Sequence, residues 1–356
     1  MKKMISMFIP FALAVTLVFP ALATTTYAAE YTELDMYFPI DIEEHWAYDE
    51  LDNFVNADLL KGYKDFEGTV TVKPDQSITR AEFVALLVRA LALKSEETGK
   101  TFTDVSKDKW YYEPIQIASS LGVVNGVSES KFDPNKRINR GDIATMVVRA
   151  FEKSVSFEQE LGELYFNDVP DYYAMESIAK AFEAGIVNGV TEDEYRPFAN
   201  AKRAEAVVML QRALDLQRGN LPTDAELFER IIKSDTESTE AINQNKLDQL
   251  DAIYKSHFTG YSLAISNDYG NELIELASQD YSLTIQKVSD EHLTVLDKTD
   301  RFAIIESTQG SYTLTAKQNG NTSTKTVSSD GLYLLKKMDD NSWKIYMHYL
   351  NEEQQQ

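Results

Sequence analysis

The sequence predicts a mainly helical first half made of three copies of one helix–loop–helix unit. A smaller α+β domain with a curved antiparallel sheet follows. Three observations carry this reading. A set of landmarks recurs three times in the same order before residue 217. Within each copy, apolar residues fall at spacings of three and four, the period of a half-buried helix. Beyond residue 280 the apolar spacing changes to two, the period of a strand.

At the N-terminus, Lys2 and Lys3 precede an apolar run from Met4 to Leu22 and then small residues. This is the pattern of a secretory signal peptide, assigned to 1–29, with cleavage after Ala23 or Ala28. An uncleaved membrane anchor is the alternative. No second apolar stretch of that length follows, so no membrane span is expected after cleavage. To stay with its cell, an exported protein without a span needs a non-covalent hold. Composition narrows the partners. The 356 residues carry 35 Lys and Arg against 57 Asp and Glu, a net charge of −22. So acidic a surface disfavours nucleic acid and anionic lipid. Cysteine is absent, which removes disulfides, thiolate metal sites and cysteine nucleophiles. With only four scattered histidines and no Asp-x-Asp-x-Asp-Gly loop, no metal site or cofactor is expected.

The repeats occupy 30–98, 99–161 and 162–217. Each opens on an acidic residue (Asp41, Asp104, Asp168), followed by an aromatic (Trp46, Trp110, Tyr173) and then a glycine (Gly62, Gly126, Gly189). A proline comes next (Pro74, Pro134, Pro197), and six positions later an arginine (Arg80, Arg140, Arg203). The arginines recur at intervals of 60 and 63. In the second copy a helix is expected from Trp110 to Leu121, ended by Gly122, then a loop at Phe132-Asp133-Pro134. A second helix follows with Ile143, Met146, Val147 and Ala150 on one face. One such pair cannot bury a core alone, so neighbouring copies must stack.

These units resemble the S-layer homology (SLH) family. The resemblance rests on Phe102-Thr-Asp-Val105, Trp110, Gly122-Val-Val-Asn-Gly126, Phe132-Asp-Pro134 and Ile78-Thr-Arg-Ala-Glu82, and it covers about 38 to 216. It implies a pseudo-threefold helical prism. The grooves between its units would bind a secondary cell-wall polysaccharide, typically pyruvylated, on a Gram-positive envelope.

The residues themselves leave alternatives open. Thr79 and Glu82 suit a capping box, and Asn139 and Asp142 can act alike in the second copy. Arg80, Arg140 and Arg203 put a cation in the first turn of a helix, which the macrodipole disfavours. An anion held by the helix N-terminus and the guanidinium would offset this, and a pyruvyl carboxylate is such an anion. An ion pair with a neighbouring carboxylate would do the same. Asp41, Asp104 and Asp168 either cap the following helix or face the sugar groove, as the resemblance implies. Trp46, Trp110 and Tyr173 are either core rings or sugar platforms. Gly62, Gly126 and Gly189 are expected to supply φ > 0, with close approach of backbone to ligand as a second use. The first copy diverges. It has Val72-Lys73-Pro74 for Phe-x-Pro, and twelve positions from glycine to proline against eight elsewhere. The third has Lys202 in place of a good N-cap.

Residues 218–222 read as a linker and 223–356 as a second domain. A helix is expected from a Thr223 cap to about Asn243, and a short one over Lys246 to Tyr254. Alternating stretches follow at Tyr281–Val288, within Phe302–Ala316, at Gly331–Met338 and at Trp343–Tyr349, with a hairpin turn at Asn319-Gly320. Through Asn245–Tyr254 and the ending Tyr333–Lys337 and Trp343–Ile345, this half resembles the nuclear transport factor 2-like superfamily. That superfamily includes enzymes, binders and dimerisation modules. His257 and His348 are its only candidate general bases, and no catalytic set is expected. The favoured function is a non-enzymatic wall anchor displaying the C-terminal domain. The alternatives are a surface-tethered ligand binder or enzyme, and an assembly protein that forms a homodimer through that domain.

Overall fold

The computed structural model describes residues 33–157 and 166–351, and the expected signal peptide lies outside them. The first copy contains α1 (Tyr48–Asn56), a small hairpin of β1 (Tyr63–Lys64) and β2 (Val70–Thr71), and α2 (Arg80–Ala90). The second contains α3 (Tyr112–Ser120) and α4 (Arg140–Phe151), and the third α5 (Met175–Glu183) and α6 (Arg203–Asp215). The helices form where the apolar stripe demands. Ile143, Met146 and Val147 are buried, and Gly122 follows the α3 C-cap at φ +75°.

Each copy packs its second helix against the first helix of the next: α2 on α3, α4 on α5, and α6 back on α1. The backbone repeats this cycle. The Ile78 N–H donates to the Ala201 carbonyl at 3.0 Å, Ala201 to Ile138 at 2.9 Å, and Ile138 to Ile78 at 3.0 Å. The start of each second helix is also satisfied by the next copy. Arg80 and Ala81 donate to Lys136 and Pro134, Arg140 and Gly141 to Ala199 and Pro197, and Arg203 and Ala204 to Gln76 and Pro74. Helix termini leave such donors unpaired, and here neighbouring proline loops accept from them.

The C-terminal region has α7 (Asp224–Asn243), α8 (Leu250–His257) and α9 (Gly260–Ala277), then seven strands. These are β3 (Tyr281–Ser289), β4 (His292–Lys298), β5 (Phe302–Thr308), β6 (Ser311–Gln318), β7 (Asn321–Ser328), β8 (Gly331–Lys337) and β9 (Trp343–Leu350). The expected single curved sheet is instead two antiparallel sheets, ordered β3-β6-β7 and β4-β5-β8-β9. Asn319 and Gly320, at φ +49° and +78°, make the expected tight turn between β6 and β7.

The second sheet has apolar residues on both faces. Ala303, Ile305, Leu335, Trp343 and Ile345 pack under Leu227 and Ile231 of α7. On the other side Phe302, Tyr346 and Met347 join the core of the repeats. A β-bulge in β9 permits this, because Leu334 pairs with Met347 and Leu335 with Ile345, leaving Tyr346 as the extra residue. Tyr346 donates its hydroxyl to Asn53 at 2.6 Å and Tyr349 to Asp52 at 3.2 Å, both on α1. Gly260 lies at φ +56° against the Asn56 carbonyl, where a Cβ would come within 2.0 Å of the oxygen.

Candidate functional site

The predicted arginines and aspartates gather at the three proline loops, each arginine reaching a loop of another copy. Arg80, Arg140 and Arg203 open their helices but are only 4–5% exposed. Each reaches into the next copy. Arg80 donates from Nε to the Phe132 carbonyl at 3.1 Å, from Nη1 to Asp142 at 3.0 Å and from Nη2 to the Asn125 carbonyl at 3.2 Å. Arg140 does the same to Tyr195 (2.9 Å), Glu205 (2.7 Å) and Asn188 (2.8 Å). Arg203 donates from Nε to Val72 at 2.9 Å and from Nη1 to the Tyr63 hydroxyl at 2.9 Å, and it stands 3.5 Å from Glu82. Each guanidinium also lies over a ring: Phe132, Tyr195 and Tyr63 respectively. Burial lowers the Arg80 pKa against the pull of Asp142, but an arginine remains protonated.

The cation at each helix start is therefore offset by a carboxylate of the protein itself. The backbone donors that would have held an external anion are occupied. The first two N–H groups of each helix go to a proline loop, and the third goes to Thr79 or Asn139 in the first two copies. The expected capping box is present at Thr79 and Glu82. Lys202 offers no side-chain acceptor, but its N–H donates to Glu205 at 2.7 Å.

The aspartates do not cap the following helices. Asp41 accepts from the N–H groups of Val72 and Lys73, Asp104 from Phe132 and Asp133, and Asp168 from Tyr195 and Arg196, all at 2.6–2.9 Å. They fix the proline loop. Burial works against ionisation of Asp104, yet these N–H groups hold its carboxyl below the usual range. The stapled loop residues Lys73, Asp133 and Arg196 take left-handed φ of +57°, +61° and +58°.

The glycines also act otherwise than expected. Gly62, Gly126 and Gly189 lie outside the left-handed region, and their role is space. A Cβ on Gly126 would sit 2.4 Å from the Lys131 and Ser128 carbonyls, and one on Gly189 2.2 Å from that of Thr191. The close approach is to the protein's own loop. The left-handed residues after each first helix are Asp58, Gly122 and Gly185.

The aromatics are not core. Trp46, Trp110 and Tyr173 are 64%, 62% and 66% exposed. Tyr173 donates to Asp142, the partner of Arg80. The third copy thus reaches the contact between the first and second.

Sequence reasoning missed Tyr63 and the ion-pairing role of Asp142, Glu205 and Glu82. Val72 leaves no ring beneath Arg203, and the longer first loop folds into the β1–β2 hairpin that supplies Tyr63 instead. The four extra positions between Gly62 and Pro74 were its signal.

In the C-terminal region neither candidate, His257 nor His348, is an available base. His257 takes a hydrogen bond at Nδ1 from Arg230 (3.0 Å) and pairs through Nε2 with Glu237 (2.8 Å), with its side chain only 3% exposed. His348 stacks on Tyr333 at 3.7 Å, and burial pushes its pKa down to about 3. Its Nε2 and the buried hydroxyls of Ser307 and Ser329 have no hydrogen-bond partner. Among the described residues no group of three or more His, Asp or Glu side chains is placed to hold a metal.

The S-layer homology domain family matches residues 41–84, 101–144 and 165–207. An amylopullulanase of Thermoanaerobacterium thermosulfurigenes is 31% identical over 210 residues, 58% of this chain and 11% of the relative. A cellulosome-anchoring protein of Acetivibrio thermocellus is 28% identical over 165 residues, 45% of this chain and 36% of the relative. The chain thus spans well under two thirds of either. A nuclear transport factor 2-like protein of Salmonella enterica serovar Typhimurium is similar to 36% of this chain and 91% of its own, at 16% identity and a TM-score of 0.26.

Proposed function

From its three S-layer homology domains, we propose that this chain is an exported cell-surface protein, held non-covalently on the wall of a Gram-positive bacterium. The cyclic contacts between copies support a pseudo-threefold prism of stacked repeats, with the polymer in the grooves between copies. The supporting observation is the threefold recurrence of an exposed ring, Trp46, Trp110 or Tyr173, in copies whose proline loop is fixed by Asp41, Asp104 or Asp168. An exposed amphipathic ring in a fixed place stacks on a sugar face at little entropic cost. The polymer is an acidic secondary polysaccharide bearing carboxylates such as pyruvyl ketals, and several weak grooves on one repetitive chain gain avidity.

The test is sedimentation of residues 30–356 with purified walls, native and stripped of secondary polymer. Both halves are kept together, because the second sheet completes the core of the first repeat. Binding to native walls that is lost on stripping, and weakened by Trp46→Ala and Trp110→Ala, is the expected result. Equal binding to both walls, or none, overturns it.

A further inference from the structure

Where the two halves of the chain meet there is a cavity of about 250 Å³. Its walls come from the ends of α2 and α6, the turn from β4 to β5, and the turn from β8 to β9. The polar side chains that line it are not used up by the fold. Gln217, which follows α6, is 5% exposed. Its Nε2 donates to Ser154 Oγ at 2.8 Å, and its Oε1 has no hydrogen-bond partner in the protein. An unpaired buried oxygen is costly, and folded proteins normally give it a partner. Arg301 spends Nη2 on the Leu91 carbonyl and makes no hydrogen bond through Nε or Nη1 among the described residues. Asp300 accepts the Asn220 N–H on Oδ1 at 2.7 Å, which leaves Oδ2 for another donor. Asp339 is exposed and stands 3.7 Å from Lys94. The Lys337 ammonium and the Asn341 amide have no partner among the described residues.

This lining selects a class of ligand. Arg301 and Lys337 balance Asp300 and Asp339, so a polyanion or a bare divalent cation would each meet two like charges. Among the described residues no aromatic side chain lines the cavity, and Ala92 and Met338 are its apolar members. A flat aromatic or a lipid chain therefore finds little to pack against. Pockets for drug-sized molecules and cofactors run to about 300–1,000 Å³, so the occupant is smaller than a nucleotide. Acceptors at Gln217, Asp300 and Asp339 share the space with donors at Arg301, Lys337 and Asn341. A hydroxyl both gives and takes a hydrogen bond. A neutral ring bearing several hydroxyls satisfies both sets at once.

We propose that this seam cavity binds one neutral sugar ring, as a free monosaccharide or as the end of a glycan. Gln217 Oε1 and the Asp300 carboxylate accept from ring hydroxyls, and Arg301 donates to adjacent hydroxyl oxygens. The bound ring touches both halves of the chain, so occupancy favours their docked arrangement. The site shares no residue with the grooves between repeats, and it stands whether or not the repeats bind wall polymer.

The test is saturation-transfer NMR on residues 30–356 with glucose, mannose, galactose and N-acetylglucosamine, and with maltotriose as a glycan end. Roughly millimolar affinity is expected for at least one monosaccharide, because so small a ligand has few atoms to bind with. The double variant Asp339→Ala/Asn341→Gly changes exposed turn positions, and glycine suits the left-handed backbone at 341. Losing two polar contacts should weaken binding by about tenfold. Gln217→Leu acts from the buried wall and should weaken binding in the same direction, with circular dichroism and melting confirming that both variants fold. Tighter binding of maltotriose than of glucose identifies a glycan end as the occupant, and weaker binding a free monosaccharide. No transfer to any of the five sugars, or folded variants that bind as wild type does, overturns the inference.

Discussion

Replacing Arg140 by alanine separates a structural arginine from one held in reserve for a ligand. The change leaves Glu205 unpaired with its side chain 22% exposed, strips donors from the Tyr195 and Asn188 carbonyls, and removes the cation lying over the Tyr195 ring. Breaking one partner of a buried pair costs about 3–5 kcal/mol, and water access to Glu205 places this case near the lower end. Arg203→Ala removes a looser pair at 3.5 Å, one carbonyl bond and the bond to the Tyr63 hydroxyl. About 1–2 kcal/mol is expected there. At about 2–4 °C per kcal/mol for chains of this general size, calorimetry should show Arg140→Ala melting roughly 6–12 °C below wild type and Arg203→Ala roughly 2–8 °C below. A larger loss for Arg203→Ala than for Arg140→Ala, or an Arg140→Ala protein as stable as wild type, would refute the reasoning, because the tighter ion pair would then hold nothing together.

Asp52 carries the pH dependence of the docking between α1 and β9. Burial raises its pKa to about 6, against the hydrogen bond from Tyr349. The folded pKa lies above the unfolded one, so this stability is fully present below about pH 4 and is lost as pH rises through about 6. Urea unfolding from pH 4 to 7 should show Asp52→Asn flattening that fall, with a gain of up to about 3 kcal/mol at pH 7. A variant that tracks wild type at every pH would count against it. Gly260→Ala should destabilise by at least about 2 kcal/mol, combining a strained backbone with a clash on the Asn56 carbonyl. Its calorimetric trace should broaden or split, and a wild-type trace would argue against close docking. Trp46→Ala and Trp110→Ala should leave melting within about 2 °C of wild type, since surface changes are usually near neutral. Both should release the protein from walls, and retention of both would remove the rings from the site.

What the sequence revealed were features that depend on chemistry within a few residues. The capping box of Thr79 and Glu82, the Gly122 helix stop and the Asn319-Gly320 turn are local, and so was the threefold order of landmarks. What stayed hidden depends on distant backbone. Nothing near Asp104 announces that its carboxylate will hold the N–H groups of Phe132 and Asp133, almost thirty positions on. Gly126 looked like a turn glycine because only the folded loop brings the Lys131 carbonyl against it. Helix α9 escaped notice because Gly260, Ser262, Asn267 and Gly270 are poor helix formers. It exists because Tyr261, Ile265, Tyr269 and Leu273, four apart, are buried against the repeats and the sheets. The bulge at Tyr346 breaks the alternation that strand reading relies on.

The same hidden contacts govern how the repeats carry the second domain. A module that merely displayed a second domain would meet it through a flexible linker. Here Arg218, just after α6, pairs with Asp297 at 2.6 Å, and the Gln217 carbonyl accepts from Asp300 at 2.8 Å. Arg301 donates to the Leu91 carbonyl and Lys336 to that of Ala57, both at helix ends of the first copy. Burial drops the Lys336 pKa to about 8, so that contact weakens as pH rises past neutrality. The first copy is thus clamped from two sides: by the third copy through Arg203 and by the second sheet through α1. It is also the copy that carries Tyr63 and Lys73. On the wall-binding reading, polymer in the grooves and docking of the second sheet therefore stabilise the same body. By linkage, saturating polymer should raise the melting temperature of the whole chain as one transition. A shift confined to an early partial transition would show that the clamp does not couple the two halves.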